Sequence, residues 1–373
     1  MKKLAIVLGS LVALSTIVAA KEVIVEPVVV VEPVIVEKIV YRDAIPAWRP
    51  TGEMDLSYKY YGRDEYDSME YGRLQFQGHL QMTPNQKLEY RVRNYNSLNS
   101  PDTVATGDMV GDYGNSADLR FRYFYNHGNL GGSKVNLTSR IHYRNRDSDT
   151  GSLSNGNRPN GIMGRSQEVE YQARFNFVEY MAWTPTWFKN TDMTLAPKYK
   201  YAWGGNDSNY TNTLGIDLYS KFDLGYGFST ELNIYSGWRD HGSKSDAGNF
   251  DEYVVDIEAY LYYTKKLWES GALALNFNFE GGLDPYSTGE RASRKAGIDT
   301  AAISSADWFA GRSSSYELYA APSFELTYQA TEHLKTYMSV GAEYKNWRVT
   351  SASNAQNWSW MPQATVGFKV DFK

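Results

Sequence analysis

From Gly52 to the end of the chain one pattern repeats: segments of about ten residues in which apolar side chains occupy every second position. A backbone with that period is extended, because successive side chains of a strand point to opposite faces. Met54, Leu56, Tyr58 and Tyr60 alternate with Glu53, Asp55, Ser57 and Lys59. Leu74, Phe76, Gly78, Leu80 and Met82 alternate with Arg73, Gln75, Gln77, His79 and Gln81. The last segment sets Trp358, Trp360, Ala364, Val366, Phe368, Val370 and Phe372 against Gln363, Thr365, Lys369 and Asp371. About fourteen such segments follow one another, an even number, as single-chain outer-membrane barrels have. The connections alternate too: short ones at 84–86, 126–132, 223–225 and 331–334, and mostly longer ones at 97–116, 147–165, 240–250 and 281–314. The expected fold is all-β: a transmembrane antiparallel β-barrel over residues 49–373, with short periplasmic turns and long extracellular loops.

Alternation alone also fits a soluble β-sandwich, with one face on a core and one in water. Three features weigh against it. The apolar face runs through nearly every segment with scarcely a charge. Aromatics gather near segment ends, with Tyr58, Tyr60, Tyr143, Tyr201, Trp203, Trp238, Trp358 and Trp360 at one end and Tyr125, Tyr263, Tyr328 and Phe372 at the other, as membrane girdles do. A secreted sandwich of this size would often carry cystines, and the chain has no Cys. That absence also excludes thiolate metal sites and a cysteine nucleophile, and no cofactor or metal motif is present. Energetics fix the register: slipping the third segment by one residue turns Arg91 and Arg93 to lipid, at about 2–4 kcal/mol each near the midplane.

The mean hydropathy of −0.51 excludes a bundle of membrane helices. An aromatic share of 15% excludes a disordered chain. A net charge of −5 with mixed signs gives nucleic acid no electrostatic purchase. Residues 1–20 read as a signal peptide: Lys2 and Lys3, an apolar run from Leu4 to Val18 too short to span, then Ala19-Ala20. Residues 21–48 read as a periplasmic linker, with Glu26-Pro27-Val28 repeated at Glu32-Pro33-Val34, where proline forbids a helix. Its partner would lie in the periplasm or cell wall.

The signal, Lys21-Glu22-Val23, the Val/Glu/Pro linker, and Ile39-Val40-Tyr41-Arg42-Asp43 before Ala47-Trp48-Arg49-Pro50 together resemble the major outer-membrane porins of fusobacteria, the FomA-like general porins. The resemblance covers essentially the whole chain. It implies a trimeric, voltage-sensitive diffusion channel seated in the lipid and lipopolysaccharide of a bacterial outer membrane. The chain departs from the usual porin ending, since Lys373 follows Phe372.

In that register the inward positions of the second to seventh segments are mainly cations: Arg73, Arg91, Arg93, Arg120, Arg122, Lys134, Arg140, Arg144, Arg174, Lys198 and Lys200. Those of the eighth to thirteenth are mainly anions: Asp217, Glu231, Glu252, Asp256, Glu258, Glu280, Glu317, Glu325 and Glu343. A closed barrel would set the two groups facing each other and impose a transverse field on a wet lumen. The loops 147–165 and 281–314 are both candidates to narrow it.

Three rivals to a general pore stay open. A sugar channel could stack pyranose rings on the inward Tyr219, Tyr235, Tyr260, Tyr262, Tyr319 and Tyr337. An adhesin could use the loops 97–116 and 281–314. A hydrolase finds little support: of five histidines only His79 and His142 face inward, and no motif sets a serine beside His142. Pro197, Pro322 and Pro362 fall on the apolar face within segments, where each removes a ladder hydrogen bond. Pro362 falls near a rim. Pro322 is central in its segment, with no compensation visible in the sequence.

Overall fold

The computed structural model describes residues 48–65, 70–98, 116–148, 165–204, 209–243, 250–289, 314–346 and 358–372. Fourteen antiparallel strands follow one another: β1 (Thr51–Tyr61), β2 (Tyr71–Thr83), β3 (Gln86–Ser97), β4 (Ser116–Asn129), β5 (Asn136–Ser148), β6 (Arg165–Asn176), β7 (Lys189–Gly204), β8 (Asn209–Gly225), β9 (Phe228–Ser243), β10 (Phe250–Ser270), β11 (Leu273–Gly289), β12 (Ser314–Gln329), β13 (Leu334–Lys345) and β14 (Ser359–Phe372). Each pairs with its sequence neighbours, and β1 pairs with β14 from Gly52↔Phe372 to Tyr61↔Gln363, which closes the barrel. Closure leaves no unpaired edge, the condition for strands to stand in hydrocarbon.

The distribution of buried side chains is inverted relative to a soluble domain. Among the described residues four apolar side chains are buried (Tyr61, Tyr71, Ala196 and Met361) against seventeen polar or charged ones, so the interior of the barrel is its polar side. The apolar positions face outward and stay open: Leu214 is 69% exposed, and Ile141, Val340, Met338 and Val366 are also exposed. A band of that kind meets lipid, and with fourteen strands it makes this a barrel of the bacterial outer-membrane type. Its ends carry stacked outward aromatics. Tyr344 lies 5.0 Å from Trp358 and 4.9 Å from Trp360 by ring centroids at one end, and Phe228 lies 4.2 Å from Tyr263 at the other.

The short connections fall at one end: 84–85, 130–135, 226–227, 271–272 and 330–333. At 226–227, one of the two-residue turns, Gly225, Tyr226 and Gly227 all have positive φ (74°, 54° and 88°), which glycine tolerates and tyrosine rarely does. The same end holds one exception to brevity. Residues 177–188 form two single helical turns, Val178–Met181 and Thr186–Phe188, and present the exposed Trp183 and Trp187. The expected signal 1–20, the linker 21–48 apart from Trp48, and most of the long connections 97–116, 147–165, 240–250 and 281–314 lie outside the described residues.

All three prolines sit where one neighbouring ladder lapses. The β6–β7 register passes from Gln172↔Lys198 to Phe175↔Leu195 and skips Pro197. The β12–β13 register passes from Ala320↔Tyr344 to Ser323↔Gly341 and skips Pro322, while pairing to β11 continues through Phe279↔Pro322. Pro362 lies one residue past the end of the β1 ladder, and its carbonyl accepts from Gly62 N at 2.8 Å. A missing N–H costs least where the neighbour offers no acceptor for it.

Candidate functional site

The lumen wall begins from a conflict of charge. Cross-strand register sets Arg91, Arg120 and Arg144 side by side on β3, β4 and β5. Three guanidiniums at adjacent positions repel one another. Asp118, inward on β4, answers them: Arg91 Nη2 donates to Oδ2 at 3.0 Å, while Arg144 Nε and Nη2 fork onto Oδ1 and Oδ2 at 2.8 and 3.0 Å. Its side chain is buried, so these bonds are little screened. The pattern repeats nearby. Arg140 is paired with buried Glu170. Arg122 lies 3.9 Å from Glu89, and Lys200 lies 3.8 Å from Glu168.

At β6 to β10 the wall is a closed set of hydrogen bonds centred on Asp217, which is 1% exposed. Lys198 Nζ donates to its Oδ1 at 2.5 Å, and Gln172 Nε2 and the Tyr219 hydroxyl donate to Oδ2 at 2.8 and 3.1 Å. Gln172, fully buried, accepts from Arg174 Nη1 at 3.1 Å. The Arg174 guanidinium also stacks 4.3 Å over the Tyr219 ring. Tyr235 stands edge-on to Tyr219 and donates to Glu258 at 3.0 Å.

Farther round, carboxylates meet fewer cations. Glu231 is 2.9 Å from Lys221, and Asp256 is 3.7 Å from Arg239. Glu280 accepts instead from the Tyr319 hydroxyl at 2.5 Å, and Glu343 accepts from Gln363 Nε2 at 3.0 Å. Among the described residues no Lys or Arg lies within 4.0 Å of Glu280, Glu325 or Glu343. Glu252 and Glu317 fall within β10 and β12, but their side chains lie outside the described residues.

Two sequence expectations need correction. Lys134 does not stand in the wall: it is exposed in the connection 130–135, before β5 begins at Asn136, where alternation runs on past the strand end. The two-wall description also fails locally. Glu89, Asp118, Glu168 and Glu170 are built into the basic side, and Asp217 is held by Lys198, a cation of that side. These acids were visible at inward positions in the sequence, but their pairing depends on cross-strand register.

The inward tyrosines serve the wall as well. Tyr219, Tyr235, Tyr319 and Tyr337 each donate to a carboxylate, Tyr337 to the buried Asp55 at 2.8 Å. His142 is buried 4.0 Å from Glu170, and among the described residues no serine bonds to it. Among the described residues the close serine–histidine contact, His127 Nε2 to Ser139 Oγ at 2.8 Å, is on the outward face, where Ser139 also meets the Tyr171 hydroxyl at 3.1 Å. Among the described residues no carboxylate pairs with His127, so it lacks the orienting group that a nucleophilic triad uses.

No family model matches the sequence, and no curated protein matches it significantly. Solved structures with a faint likeness include Pseudomonas putida OprB, with 8% identity over 87% of this chain and 94% of that one, at a TM-score of 0.35. The outer membrane channel DcaP of Acinetobacter baumannii has 9% identity over 87% and 96%, also at 0.35. The KdgM porin has 10% identity over 86% and 99%, at 0.25. The barrel described above rests on its own strand pairing rather than on these likenesses. It is a closed fourteen-stranded outer-membrane barrel with an apolar exterior and a charged interior.

Proposed function

We propose that the chain is a porin: a water-filled channel for passive diffusion of ions and small hydrophilic solutes across the outer membrane. The observation that carries this is the inverted burial, a charged inner wall behind an apolar outer band. A barrel of this strand number exceeds the eight at which side chains alone fill the interior. The charged lumen would set the sign of ion preference. The linker and signal resemblance supports placing the chain among the fusobacterial porins, and with it a homotrimer and a periplasmic or cell-wall contact for residues 21–48.

Swelling of proteoliposomes in isotonic sugars of rising size tests the reading. The expected rates fall smoothly with solute size and do not saturate with concentration. Saturation by one sugar would favour a stacking site at Tyr260 and Tyr262, whose rings lie 6.0 Å apart.

A further inference from the structure

Among the described residues most wall cations have a carboxylate within 4.0 Å; Arg174, held by Gln172 and the Tyr219 ring, does not, and neither does a contiguous set of three. Arg73, Arg93 and Arg120 lie on the consecutive strands β2, β3 and β4, and among the described residues none has a carboxylate within 4.0 Å. Arg93 Nε donates to Gln75 Oε1 at 2.6 Å, a neutral acceptor that adds no counter-charge. Arg73 Nε is buried without a hydrogen-bond partner. Its guanidinium lies 5.5 Å from the Tyr61 ring, and Tyr61 is itself stacked on Tyr71 at 4.3 Å.

Register makes these three a ladder. Arg73 pairs with Tyr95, so Arg93, two residues earlier, is its diagonal neighbour; Arg93 pairs with Asp118, so Arg120 is the next diagonal. Diagonal neighbours of this kind stand about 7–8 Å apart, within the convergence range of long arginine side chains. Lys59, directly opposite Arg73, extends the line onto β1. Lys59 also feels Glu343 and Glu280, so it marks the edge of the cationic patch rather than its centre. Asp118 attracts Arg93 and Arg120 through space, but its oxygens accept from Arg91 and Arg144, so one carboxylate is shared among four guanidiniums and leaves the patch net cationic. The ladder starts near the end of the barrel with the long connections, which is the extracellular side by the usual asymmetry.

We propose that Arg73, Arg93 and Arg120 form a binding site for small multivalent anions, carrying several carboxylate or phosphate groups, inside the channel. Planar guanidiniums with free N–H donors recognise such groups by forked hydrogen bonds, and one arginine per anionic group rewards multivalent solutes over monovalent ones. The site rests on the channel reading, and it turns a general pore into one that holds a class of solute on its way through.

Block of single-channel current by citrate and by pyrophosphate, with acetate as the monovalent control, tests the site. In ~0.1 M KCl, where the Debye length is about 10 Å, both multivalent anions are expected to interrupt the current at concentrations where acetate does not. The variant R73Q/R93Q/R120Q is expected to raise the half-blocking concentration by about tenfold or more while KCl conductance stays within about twofold. R93Q alone, which removes one rung, is expected to shift it partway and guards against failure of the triple variant to fold. The paired cations Lys221 and Arg239 supply the comparison: K221Q/R239Q is expected to leave the block unchanged. Equal block of the wild type and the triple variant, or an equal shift in K221Q/R239Q, would overturn the site. Absence of any KCl conductance would instead overturn the channel reading, and calorimetric titration of the folded barrel with citrate would then decide the site separately.

Discussion

The wall from β3 to β8 and the wall from β11 to β13 carry charge in opposite ways. In the first, apart from Arg93, Arg120 and Arg174, the charges are answered in pairs: Asp118 with Arg91 and Arg144, Glu170 with Arg140, Asp217 with Lys198. In the second, among the described residues, Glu280 accepts from a tyrosine and Glu343 from a glutamine, with no cation in reach. The paired wall is structural, because its charges are buried and removal of one partner strands another. The open wall is electrostatic, because its carboxylates keep their field for the water beside them. A sequence that shows basic strands followed by acidic ones therefore overstates the opposition. The field comes from the charges left over after pairing, mainly the Arg73–Arg93–Arg120 ladder and the carboxylates of β11 to β13.

That contrast breaks most visibly at Asp118. D118N is expected to cost about 2–4 kcal/mol of unfolding stability, since it leaves Arg91 and Arg144 uncompensated beside Arg120. Urea unfolding of the barrel in lipid vesicles measures this, and a loss below 1 kcal/mol would mean that water already compensates these guanidiniums. A smaller loss, about 1–3 kcal/mol by the same assay, is expected for D217N, because an amide keeps part of the bonding with Gln172 and Tyr219 while Lys198 loses its counter-charge. Smallest in stability is the triple change E280Q/E325Q/E343Q, expected within about 1 kcal/mol of the wild type because these groups lack cation partners. Its effect should appear in the reversal potential, displaced toward anion preference; an unmoved potential would mean that the open wall does not set the field.

The fold was legible in the sequence to a useful depth. Period-two alternation identifies strands, and the high cost of an arginine in lipid pins which face is which, so the inward assignment of Arg91 and Arg93 needed no structure. The strand ends were less legible: alternation continues through Val135 and Leu137, so Lys134 reads as part of β5 although it belongs to the preceding connection. Three further features lay beyond the sequence for one shared reason. The tolerance of Pro322, the neutralisation of Arg91 and the isolation of Arg93 all depend on which residue stands beside them on the next strand. Cross-strand register sets those neighbours, and a single strand's pattern is silent about it. The periplasmic turns of helix at 177–188 escaped for a different reason: Trp183 and Trp187 follow neither period.

A diffusion channel requires that the polar interior hold continuous water. Conductance of the refolded barrel in planar bilayers, with heat-modifiable gel mobility confirming that it is folded, tests that requirement most directly. Discrete, stable current steps in KCl are the expected result, with size proportional to salt at high concentration. A heat-modifiable barrel that carries no current would contradict it.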